Sequence, residues 1–188
     1  GVKRRVGSLA KGVGVCEGRR LKRRTMMNRA MIVALLAVAV WVPGLAAQET
    51  AYGALRTLAG RQGEAVLRSV IEVSGRQGTP QPLVWRLVVA DPGARGGVRE
   101  FEISGGRVLS ERTPMTRTAG SAMESVLPLG SLRLDSDGAF QVVNAQAWQA
   151  RVGFDSATYA LRREEGIGPV WLVEIFDAAG RGVGRFRI

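Results

Sequence analysis

The feature that most constrains this chain is a hairpin pattern written twice. Residues 169–188 pass from an apolar segment (Val170-Trp-Leu-Val-Glu-Ile-Phe) through a Gly-rich turn into a segment where polar and apolar residues alternate. That is the signature of a β-hairpin. Residues 82–103 repeat it. Trp85, Asp91 and Arg95 stand 86 residues before Trp171, Asp177 and Arg181, and Val98, Phe101 and Ile103 stand 85 before Val183, Phe186 and Ile188. The one-residue slip falls in the turn, where an insertion disturbs least. The repeat predicts an α+β fold of two tandem units, each a helix packed on a three- to four-stranded antiparallel sheet. The first unit spans 48–112, residues 113–134 form a linker and extended segment, and the second unit spans 135–188.

Charge is distributed unevenly. The formal net charge is +11, but residues 1–29 hold ten Lys or Arg and one Glu, whereas the chain from Gln48 onward has 17 Arg, no Lys and 15 acidic residues. A nucleic-acid footprint needs positive charge clustered on the folded domain, and the excess here lies outside it. No nucleic-acid partner is expected. The sequence contains no His, and Cys16 is its single cysteine. After Gln48 there is accordingly no Cys–His or Ser–His pair, no Ser–Lys dyad and no ordinary zinc ligand set. The expectation is a protein with no catalytic, cofactor-binding or metal-binding residues.

Residues 26–47 combine a basic front, an apolar run and a small-residue exit at Pro43-Gly-Leu-Ala-Ala. This is the grammar of a secretory signal peptide. Cleavage after Ala46 or Ala47 would leave a periplasmic or secreted domain. The rival reading is an uncleaved anchor, although the apolar run is shorter than the roughly 20 residues that span a bilayer. In the uncleaved case the leader is the only expected membrane contact. Residues 1–25 form a basic leader read as lying before the true start at Met26 or Met27, with a cytoplasmic basic tail as the alternative.

Along the remaining chain, Leu55, Leu58 and Ala59 place a short helix at 51–61. The β-branched segment 65–73 reads as a strand, and 75–81, with Gly78 and Pro80, reads as a turn. A fourth short strand covers 107–111. The Ser/Thr-rich stretch from 113 to 130 reads as a linker with a helical turn around Met123. A clear helix at 137–151 follows a cap at Asp135 or Ser136, with Ala139, Phe140, Val143, Ala147 and Ala150 on one face. Residues 155–163 form the strand matched to 65–73.

These elements resemble tandem PepSY-like domains. The residues that carry the resemblance are the helix after Asp135-Ser136, Tyr159-Ala-Leu, the Trp171 strand and the closing strand 182–188. The resemblance covers 51–111 and 131–188. It implies a small exported module that binds or inhibits a protein, a peptidase among the possible targets, without catalysing a reaction. The alternative is a structural cell-envelope protein with no soluble target. The second unit lacks a counterpart of the closing strand at 107–111, which reads as a truncation at the C-terminal end.

Among individual residues, Asp135-Ser-Asp-Gly138 is expected to cap a helix rather than hold calcium, because the twelfth loop position is Gln146. Glu164 and Glu165 are expected to be solvated turn residues. Asp91 and Asp177 are expected to bond their own turns, and Trp85 and Trp171 to lie in the core. Trp148 falls on the polar side of its helix. Packing against the other unit is the plainer account of it. If exposed, it is the candidate partner contact, since an aromatic there gains little without a second surface.

Overall fold

The computed structural model describes residues 48–115 and 126–188. These form one seven-stranded antiparallel sheet in the order β4-β3-β2-β1-β5-β6-β7. The strands are β1 (Val70–Gly78), β2 (Trp85–Ala90), β3 (Val98–Ser104), β4 (Arg107–Arg112), β5 (Ser156–Glu164), β6 (Gly168–Phe176) and β7 (Gly182–Arg187). Helices α1 (Ala51–Gln62) and α2 (Ser136–Gln149) bury their apolar sides in a single core on one face of this sheet. The signal-like segment, the basic leader and the expected turn at Met123 lie outside the described residues. Among the described residues no helix is long and apolar enough to cross a membrane.

This overturns the expectation of two tandem helix-on-sheet units. The strands of the two halves are hydrogen-bonded to each other, with β1 and β5 pairing through Val73↔Leu161, Ser74↔Ala160 and Gly75↔Tyr159. The repeat survives as an internal symmetry of the single sheet. Ser74 and Ala160 are 86 apart and face each other, so the axis relating the halves passes through that pair. The physical reason is burial: either half alone would expose its first strand edge and only part of its core.

The same pairing corrects the reading of 65–81. Residues Glu64–Ser69 form a 3-10 turn, and the strand runs from Val70 through Gly78. The expected turn at 75–78 is extended because β5 supplies its ladder partners. Its glycines are required by close approach: a Cβ on Gly75 would lie 2.4 Å from Pro82 Cγ, and one on Gly78 would lie 2.2 Å from the Gln81 carbonyl carbon. The chain folds back directly over its own strand. The true match to β5 is therefore 70–78, not 65–73.

At the centre of the core, Trp85, Tyr159 and Trp171 are buried and pack mutually, with ring centroids 5.9–6.4 Å apart in tilted to edge-on arrangements. Both indoles are satisfied in the same way. Trp85 Nε1 donates to the Glu49 carbonyl (2.6 Å) and Trp171 Nε1 to the Leu134 carbonyl (2.9 Å). Each acceptor immediately precedes the N-cap of the helix in its own half. Tyr159 donates its hydroxyl to the Pro80 carbonyl (2.6 Å), and burial pushes its phenol well above the ordinary range.

The helix N-termini meet across the axis. Asp135 caps α2 by accepting from Ser136 N (2.7 Å), and the same oxygen accepts from Tyr52 N of α1 (3.0 Å). Ser136 Oγ accepts from Ala51 N (2.9 Å) and donates to Gln81 Oε1 (2.6 Å). One carboxylate thus serves two positive helix ends. This also gives Asp135-Ser136 its role as a cap rather than an ion loop. Burial first, then the Asp135 charge, raises the Tyr52 phenol.

Candidate functional site

Both helices lie on one face, and the opposite face of the sheet carries charged side chains beside a small buried apolar cluster, Ile71, Val88, Ala90 and Val98, on which Val126 packs. Alternation along each strand sends Glu72, Arg86, Glu100, Arg112 and Arg162 to this side. Neighbouring strands bring them into one row of alternating charge. Arg162 Nη2 lies 3.2 Å from Glu72 Oε2, and Arg86 Nη1 lies 3.3 Å from Glu72 Oε1. Arg86 also pairs closely with Glu100, whose other oxygen is 3.0 Å from Arg112 Nε. Arg112 reaches Glu102 at 3.6 Å, and Ser110 Oγ donates to Glu102 at 2.8 Å.

Glu72 and Glu100 are 6% and 4% exposed, so these are buried carboxylates. Burial by itself would raise the Glu100 carboxyl. The hydrogen bonds and charges of Arg86, then Arg112, outweigh it and hold Glu100 below the usual carboxylate range. Glu100 is thus ionised near neutrality and has no proton to give, which suits an electrostatic strut rather than an acid. Sequence reading did not find this row. Its one signal was the alternation of Glu and Arg on adjacent strands, which carries meaning only once the register is known.

Beside the row lies an open hollow of about 750 Å³, with Glu72, Arg86, Arg112 and Arg162 in its wall and Leu83 and Val84 at its rim. Leu83 is 67% exposed. Arg112 and Arg162 keep more than half of their side-chain surface exposed, so part of their donor capacity faces the hollow. Among the described residues no group of three or more acidic, His or Cys side chains is placed to hold a metal ion.

The residues singled out from sequence fall as follows. Asp91 accepts from Gly93 N (3.0 Å), and Asp177 from Ala179 N and Arg181 N (2.9 Å each), so both organise their turns. The backbone and side-chain hydrogen bonds of Arg181 are the main cause of a lowered Asp177 carboxyl. Glu164 is paired with Arg187 rather than simply solvated. Ala150 lies past the end of α2 and is exposed, whereas Ala139, Val143 and Ala147 are buried as expected. Trp148 is 80% exposed, against 0% for Trp85 and 1% for Trp171. Its packing against the other half, the plainer expectation, does not occur among the described residues.

No protein-family model, no curated protein and no solved structure matches this chain.

Proposed function

We propose that this chain is an exported, non-catalytic binding module that engages a protein partner, with Trp148 as an anchor of the contact. The observation that carries this reading is the contrast among the three tryptophans of the described residues, Trp85, Trp171 and Trp148. Two are sealed in the core with satisfied indoles, while the third stands on a helix whose apolar side is already buried elsewhere. A large aromatic left in water gains most when a second surface covers it, and tryptophan is prominent among residues that dominate binding energy. The PepSY-like resemblance supports the same class of activity, a restraining or docking contact on a protein such as a peptidase. The signal-like segment at 26–47 supports export to the periplasm or beyond the cell.

The test compares the full chain with Trp148→Ala in capture from envelope extract. On this reading the variant melts within a few degrees of the parent, because among the described residues the indole stays exposed, and partner capture falls by about thirtyfold, as loss of roughly 2 kcal/mol implies. Equal capture by both proteins removes Trp148 from the contact. Cell fractionation tests the export arm: processed protein with an N-terminus near Gln48 supports it, and intact, membrane-retained leader overturns cleavage.

A further inference from the structure

The internal symmetry of the sheet neutralises an arginine in one place and leaves its counterpart open in the other. The axis passes between Ser74 and Ala160, which face each other across β1 and β5. It relates Arg162 of β5 to Arg76 of β1, and Glu72 of β1 to Thr158 of β5, each two residues from the axis pair. Arg162 finds Glu72 on the neighbouring strand, with Nη2 3.2 Å from Oε2. At the related place Arg76 finds Thr158, which has no charge. The next carboxylate across the sheet, Glu174 opposite Thr158 on β6, is taken by Arg185 at 2.9 Å. Arg76 is exposed and, among the described residues, makes no ion pair.

The backbone is deformed at the same place. Gly75 stands opposite Tyr159 and Gly78 opposite Ala157, so Arg76 and Gln77 together face the single residue Thr158. This is a β-bulge, which re-aims the side chains it carries. Gln77 sits in the left-handed region (φ 52°), which non-glycine residues seldom adopt. Both side chains line the large hollow of the charged face, and a smaller hollow of about 270 Å³ shares Arg76, Gln77 and Thr158 and continues to Phe176. The register of β1 and β2, with Gly75 opposite Trp85, brings Val84 alongside Arg76. Val84 and Leu83 are 39% and 67% exposed. A guanidinium without a counter-charge, two apolar side chains and an open trough therefore meet at one point.

We propose that this trough binds an extended segment of a partner protein through a Glu or Asp side chain, whose carboxylate pairs with Arg76 as Glu72 pairs with Arg162. The planar guanidinium offers forked donors that match a carboxylate. An apolar residue of the same segment covers Leu83 and Val84 and adds the burial that an exposed ion pair lacks. The charges of this face call for such an occupant. Arg76, Arg86, Arg112 and Arg162 are met by Glu72, Glu100 and Glu102 alone, so one carboxylate is wanting, and it is wanting at Arg76. The smaller hollow beyond Thr158 gives a peptide chain room to continue, which a small free acid would leave unused. The inference rests on the binding-module reading for its partner being a protein, but it uses a surface other than Trp148.

The test adds the fluorescein-labelled peptide Gly-Ala-Leu-Glu-Ala-Leu-Gly, amidated at its C-terminus, to the full chain and reads fluorescence anisotropy. Saturable binding is expected, and the same peptide with Gln in place of Glu should bind about tenfold more weakly. Arg76→Gln should abolish that preference. Thr158→Glu sets an internal carboxylate before Arg76, as Glu72 stands before Arg162, and should weaken binding of the Glu peptide about tenfold. Thr158→Gln, of like size and without charge, should leave it unchanged. If the Thr158 variants do not fold, Arg76→Gln, at an exposed position, still decides the matter. The preference for the Glu peptide and its dependence on Arg76 support the site even if Trp148→Ala captures partner as well as the parent does, so the two readings fail separately. Absence of saturable binding, equal affinity for both peptides, an unaltered preference in Arg76→Gln, or equal effects of Thr158→Glu and Thr158→Gln would each overturn the proposal. Competition by propionate at the peptide's own concentration would also overturn it, since the ligand would then be a small acid.

Discussion

The two halves of this sheet share a backbone plan and differ in what they do with charge. On the first half, Glu72 and Glu100 are buried between arginines of neighbouring strands, and the charged row crosses its four strands and ends at Arg162 on β5 of the second half. On the second half, Arg185 and Arg187 pair with Glu174 and Glu164, and these pairs remain largely in water. The comparison teaches that the repeat preserves the parts that hold the core, namely the paired indoles and their carbonyl acceptors. The charges on the strand faces differ between the halves.

The most demanding test of this comparison is the tryptophan pair. Trp85→Ala and Trp171→Ala should each cost about 3–5 kcal/mol, measured by chemical denaturation, because each removes a buried aromatic that packs on the other and on Tyr159. A cost below about 1 kcal/mol at either site would break the equivalence of the halves.

The charged face should respond unequally. Glu100→Gln removes the charged partner of Arg86 and Arg112 at a buried site and should cost about 1–3 kcal/mol. Glu174→Gln, facing the exposed Arg185, should cost about 0–1 kcal/mol. Acidity sharpens the contrast. Because Glu100 is held below its unfolded value, its contribution is complete above about pH 4.3 and is lost as pH falls through the lower folded value. Denaturation midpoints measured from pH 6 downward should therefore fall more steeply in the parent than in Glu100→Gln. Parallel curves would mean that Arg86 and Arg112 do not favour the ionised form.

A smaller difference is expected at the helix ends. Thr50 and Asp135 occupy matching N-cap positions, but Thr50 accepts only from Gly53 N of its own helix, whereas Asp135 also accepts from Tyr52 N of the other. Asp135→Ala should cost about 1.5–2 kcal/mol and Thr50→Ala about 0.5–1 kcal/mol, within the range for caps. Equal losses would indicate that the bridge to α1 adds nothing.

Much of the local structure was legible before any coordinates. Both hairpins, both helices and strand β4 follow from alternation, β-branching and helical spacing, because those signals come from residues within a few positions of each other. The burial of Trp85 and Trp171 and the turn roles of Asp91 and Asp177 followed from their recurrence at matching places. Trp148 was legible as an aromatic on the wrong side of its helix, but its exposure was not. Whether a neighbouring surface covers a residue is decided by parts of the chain far away in sequence.

What the sequence determined by itself is thus the content of each half: which residues alternate inward, where the chain turns and where the helices begin. The tertiary structure decided that the halves share one sheet. Pairing of β1 with β5 made a strand of 75–78, a glycine-bearing segment whose local signals read as a turn. It also set Glu72, Arg86, Glu100, Arg112 and Arg162 in one row and brought Asp135 to the end of a helix more than eighty residues upstream. The physical reason is that backbone hydrogen bonds between strands are the same for every sequence. Alternation specifies the face on which a side chain lies, while the strand that lies alongside is chosen by the burial gained when the whole chain closes.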